Sequence, residues 1–85
     1  MEIEVRISQE ALRTLETLHE PILARVNGVI ERLGDWPEVS GAKPLRGRMK
    51  GWYRVRTGDW RIIFTVTGRV LLITAISNRK DAYED

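Results

Sequence analysis

The chain has 85 residues, 42% of them hydrophobic and 31% charged. That is the size of one domain with a modest core, and a single domain over residues 1–85 is expected. It contains no cysteine and one histidine, so disulfides and thiolate chemistry are excluded and a transition-metal site or a paired-histidine ribonuclease is not expected. The net charge of +2 conceals an asymmetry: residues 1–40 carry 4 basic and 8 acidic side chains, residues 41–85 carry 10 and 4. Seven of the 14 Lys and Arg fall between positions 43 and 61, where Asp59 is the sole acid. Such a gradient points to a polyanionic partner.

Residues 2–7 alternate, with Ile3, Val5 and Ile7 on one side and Glu2, Glu4 and Arg6 on the other, the pattern of a half-buried strand. The same charged start does not resemble a signal peptide, and no apolar run is long enough to span a membrane, so a cytoplasmic protein is expected. Ser8 is a natural N-cap for a helix whose apolar stripe is Ala11, Leu12, Leu15 and Leu18. Pro21 ends that helix and can sit in the first turn of a second, which carries Ile22, Val26, Val29, Ile30 and Leu33 and has Gly34 as a C′ residue. His19 lies at the end of the first helix and reads as a surface residue. Residues 35–44 hold two Pro, a Gly and a Ser and read as a loop.

Beyond residue 45 the pattern turns to strands. Gly58 and Asp59 suit a two-residue type II′ turn between strands 52–57 and 60–66. Residues 70–77 are almost continuously apolar, as in a strand buried inside a sheet. The order is β-α-α-β-β-β: an α+β fold with an N-terminal strand, a two-helix hairpin and a three-stranded antiparallel meander.

Counting outward from the turn places Arg56 opposite Arg61, Val55 opposite Ile62, Arg54 opposite Ile63 and Tyr53 opposite Phe64. Side chains alternate between faces. Tyr53, Val55, Ile62 and Phe64 therefore share an apolar face, and Arg54, Arg56 and Arg61 share the other, with Trp52 close by. Two arginines facing each other repel. A phosphodiester between them relieves that cost, because the guanidinium fork matches phosphate oxygens, and Trp52 could stack on a base. The same arginines could equally pair with helix carboxylates or face water. Trp36 and Trp60 read as core or interface.

The runs Lys43-Pro44-Leu45-Arg46-Gly47, Gly51-Trp52-Tyr53-Arg54-Val55-Arg56, Gly58-Asp59-Trp60-Arg61-Ile62-Ile63-Phe64 and Asn78-Arg79-Lys80-Asp81-Ala82-Tyr83 resemble the signature of the RelE/ParE toxin superfamily, over essentially the whole chain. The resemblance implies a RelE-like fold and the toxin of a type II toxin–antitoxin system. Its partners would be a cognate antitoxin, forming a hetero-oligomer, and the ribosome with mRNA; no membrane and no cofactor would be involved. RelE-like members cut mRNA in the ribosomal A site without metal, through attack of the 2′-hydroxyl on its neighbouring phosphate. ParE-like members inhibit DNA gyrase, and an inactive antitoxin-binding member is a third possibility. Matched to the family motif, Arg54, Arg56, Arg61 and Tyr83 are the expected catalytic residues. Lys43, Arg46, Arg48, Lys50, Trp52, Arg79 and Lys80 are the expected RNA-binding ones. Asn78 stands where many relatives have His, and the basic pair is Arg, a poor general base because its proton is almost never released.

Overall fold

The computed structural model describes residues 2–78. Strand β1 (Glu4–Ile7) leads into helix α1 (Gln9–Glu16) and helix α2 (Ile22–Leu33). Strands β2 (Lys43–Pro44), β3 (Trp52–Thr57), β4 (Trp60–Thr67) and β5 (Val70–Asn78) follow, with one 3₁₀ turn at Gly47–Met49. All five strands form one sheet in the order β1-β5-β4-β3-β2. The expected α+β arrangement and antiparallel meander are present. Two features add to it. β1 lies parallel to β5, which makes the sheet mixed, and Lys43 and Pro44, expected in a loop, form a short edge strand against β3. No helix among the described residues is long and apolar enough to cross a membrane.

Ser8 ties the start of α1 to β5. Its hydroxyl accepts from the Ala11 N–H at 3.1 Å, capping α1. The same hydroxyl donates to the Thr74 carbonyl at 3.1 Å, and the Ser8 N–H donates to the Ile73 carbonyl at 2.9 Å. The turn before α2 is closed differently. Pro21 is the N-cap and lacks a capping side chain, so the Glu20 carboxylate accepts from the Ala24 N–H at 3.2 Å. Gly34 caps the other end of α2 with φ −64°, in the right-handed region. The left-handed C′ geometry expected of it is not adopted, because the chain continues in tight turns: the Asp35 N–H donates to the Arg32 carbonyl and Trp36 N–H to Leu33.

The core lies between the helices and one face of the sheet. Ala11, Leu18, Val26, Val29 and Leu33 from the helical layer pack with Val55, Ile62, Phe64, Leu71, Ile73 and Ile76. Leu12 departs from the expected stripe and is 39% exposed. Residues 11 and 15 share one line down the helix, and residue 12 is turned about 100° from residue 11. On β5 the buried residues are 71, 73 and 76, a spacing that a regular strand cannot place on one face. A bulge resolves this: Ile63 pairs with Ala75 but Phe64 with Ile73, leaving Thr74 as the extra residue. The Thr74 hydroxyl donates to the Ile63 carbonyl at 3.2 Å. Trp36 meets Tyr53 and Phe64 edge-on, at centroid distances of 4.8 and 5.3 Å, and belongs to the core side as expected.

Candidate nucleic-acid interface

The two strands that carry the arginines are joined by a two-residue turn. Gly58 has φ +61°, a left-handed conformation that L side chains rarely adopt, and Asp59 does not share it. That combination is the first central position of a type II′ turn, whose twist matches the flanking strands. Thr57 pairs with Trp60, and the register then runs as counted from the sequence: Arg56 with Arg61, Val55 with Ile62, Arg54 with Ile63, Tyr53 with Phe64.

Parity then sorts the side chains. Val55, Ile62 and Phe64 are buried toward the helices. Arg54, Arg56 and Arg61 lie on the opposite face in two rows across the sheet. The first row is Arg56, Arg61 and Ser77; the second is Lys43, Arg54, Ile63 and Ala75. Successive rows are two residues apart along a strand, about 6.6 Å. The three arginines differ in exposure in a way the sequence pattern does not show. Arg56 is exposed, Arg54 half-buried, and Arg61 only 5% exposed. Arg54 and Arg61 each engage a further group. Arg56 makes no ion pair or hydrogen bond among the described residues.

Two depressions flank these rows. A groove of about 220 Å³ is lined by Lys43, Pro44, Leu45, Arg46 and Arg54. Its floor is stable because Leu45 is buried and its N–H donates to the Trp52 carbonyl at 2.9 Å. At the hairpin tip a cavity of about 30 Å³ is lined by Arg56, Gly58, Asp59, Trp60 and Arg61. That is the room one water molecule occupies. Trp52 is half-buried in the next row, across from Thr65.

The structure thus gathers Lys43, Arg46, Arg54, Arg56 and Arg61 of the expected site on one side of β3 and β4. Arg48 and Lys50 sit apart in the exposed turn between β2 and β3. Arg79, Lys80 and Tyr83 lie outside the described residues. His19 is exposed in the turn between the helices. The side chain that the sequence reading treats only as a turn residue is Asp59, which lines the same cavity as Arg56 and Arg61. Its being the sole acid between residues 39 and 80 was the available signal.

Chemically, the arrangement offers fixed positive charge at two neighbouring positions, spaced for successive backbone phosphates. Guanidinium groups on a sheet need little reorganisation to meet charge that develops on a phosphorus centre.

The profile of the family described as "ParE toxin of type II toxin-antitoxin system, parDE" matches residues 5–83. No protein of curated function matches the chain in sequence. Among solved structures, the toxin–antitoxin complex RelBE2 from Mycobacterium tuberculosis contains a chain 27% identical to this one, with a TM-score of 0.80 over 93% of this chain and 100% of that one. The YoeB/ParE toxin from Agrobacterium tumefaciens is 19% identical, with a TM-score of 0.76 over 89% of this chain and 98% of that one. The isolated RelE toxin of E. coli is 15% identical, with a TM-score of 0.74 over 92% and 84%. The last two show the shared fold.

Proposed function

The chain belongs to the ParE family of type II toxin–antitoxin toxins, within the RelE/ParE superfamily, and on that premise we propose that it is an endoribonuclease that cuts mRNA on the ribosome, in the cytoplasm, until a cognate antitoxin neutralises it. The observation that carries this reading is the pair of rows on the sheet face away from the helices, Arg56 opposite Arg61 and Lys43 opposite Arg54. A surface that placed its cations for solubility alone would not face two arginines across a strand pair, because like charges there destabilise the sheet.

In the proposed reaction Arg56 and Arg61 hold the scissile phosphate and Arg54, Lys43 and Arg46 its neighbour. The 2′-hydroxyl attacks the adjacent phosphorus, the bond to the 5′-oxygen breaks, and the products are a 2′,3′-cyclic phosphate and a 5′-hydroxyl. The guanidinium groups stabilise the extra negative charge of the phosphorane, so the chemistry requires no metal. Trp52, beside the Arg54 row, is a platform for a base. Arg79 and Lys80 add positive potential, and Tyr83 assists as proton donor or stacking surface. The antitoxin partner follows from relatives solved as toxin–antitoxin complexes, RelBE2 among them.

A gyrase-inhibiting role is the second reading, and the match to the ParE profile over residues 5–83 favours it. Mapping mRNA 5′ ends and DNA breaks after induction separates the two. Codon-phased mRNA ends that vanish in Arg61→Ala and in Arg56→Ala are expected, the second variant being exposed and harmless to the fold. Each loss should be about 10²–10³-fold. Gyrase-linked DNA breaks with intact mRNA would overturn the reading, and absence of any growth effect would leave an antitoxin-binding role.

A further inference from the structure

Arginine leaves the proposed reaction without a proton acceptor, since the guanidinium holds its proton at any working pH. The one histidine is in the turn between the helices, and no cysteine exists. Among the described residues beyond 38, one side chain is a carboxylate, a group that can take a proton from a sugar hydroxyl, and that is Asp59. It stands at the tip of the hairpin, on the rim of the 30 Å³ cavity that Arg56 and Arg61 also line.

Two features of this placement bear on that role. The cavity holds about one oxygen atom with its hydrogens, room for a single hydroxyl beside Asp59, Arg56 and Arg61. The carboxylate shares the cavity with both arginines yet forms no ion pair or hydrogen bond among the described residues. Without a salt bridge its lone pairs are available. The turn, with Gly58 at its first corner and closed by the Thr57–Trp60 pair, sets the Asp59 backbone in register with both strands.

The geometry points to Asp59 as the general base of the endoribonuclease. This assignment rests on the endoribonuclease reading. The Asp59 carboxylate takes the proton of the 2′-hydroxyl as that oxygen bonds to phosphorus. The phosphorus–5′-oxygen bond breaks with its electron pair on the leaving oxygen, which takes a proton from water. Asp59 releases its own proton to solvent, and the balance closes without a co-reactant.

The test is single-turnover cleavage of mRNA on programmed ribosomes by the wild-type chain, Asp59→Asn and Asp59→Glu. Asparagine suits the same turn position, so the fold is kept, and a thermal melt checks it. Asp59→Asn should cleave about 10²–10⁴-fold more slowly, lose the acid limb of the pH–rate profile, and still bind mRNA carrying a 2′-deoxy sugar at the cleavage position. Asp59→Glu should recover part of the rate. Asp59→Asn cleaving within about threefold of wild type, or with an unchanged pH profile, sinks the assignment and leaves the endoribonuclease reading standing. A wild-type chain that leaves mRNA intact overturns both.

Discussion

Replacing Arg56 by threonine should make the protein more stable and less active. Arg56 is exposed and directly opposite Arg61, which is 5% exposed. Side chains at such a pair begin about 5 Å apart, and like charges there cost roughly 0.2–1 kcal/mol. Solvent screens the Arg56 end, so the lower half of that range applies, about 0.5 kcal/mol. Threonine removes the repulsion and is a good strand former, worth a few tenths of a kcal/mol more. The sum, about 0.5–1 kcal/mol, corresponds to a rise in Tm of about 2–8 °C for a domain of this size. The assay is thermal unfolding across a series of sodium chloride and phosphate concentrations. The wild-type Tm should rise more steeply with anion concentration than that of Arg56→Thr, because anions screen or bridge the arginines only when both are present. RNA affinity should fall at the same time. A variant that melts below wild type at low salt would refute the reasoning, since Arg56 would then be engaged favourably in the free protein.

Three further outcomes follow from the fold. Ser8→Ala loses the cap of α1 and the hydrogen bond to the Thr74 carbonyl; a loss of about 2 kcal/mol is expected in urea unfolding, with Ser8→Thr close to wild type. Phe64→Ala empties a site that is 0% exposed and stacked on Tyr53 at 5.5 Å, and should cost about 3–5 kcal/mol, whereas Leu12→Glu, on the exposed side of α1, should change stability by less than about 0.5 kcal/mol.

Asp59 and Arg61 mark where local pattern stops being informative. Both lie in a hairpin whose register was countable from Gly58 outward, because a two-residue turn fixes every pair beyond it. Counting could say that Arg61 faces away from the helices. It could not say that Arg61 is buried there while Arg56 is exposed, because exposure depends on what else covers the face.

The sequence by itself determined the order of elements, the apolar face of the hairpin and the set of cations on the other side, since these follow from periods of 2 and 3.6 residues and from one glycine's freedom at positive φ. The tertiary structure decided the rest. It placed β1 parallel to β5, and it recruited Lys43 and Pro44 into the sheet so that Lys43 stands across from Arg54. It inserted Thr74 as a bulge so that Leu71, Ile73 and Ile76 could all reach the core. Partners distant in the chain are chosen by packing, which no local repeat encodes. Asp59, Arg56 and Arg61 acquire a common cavity only once the turn is folded.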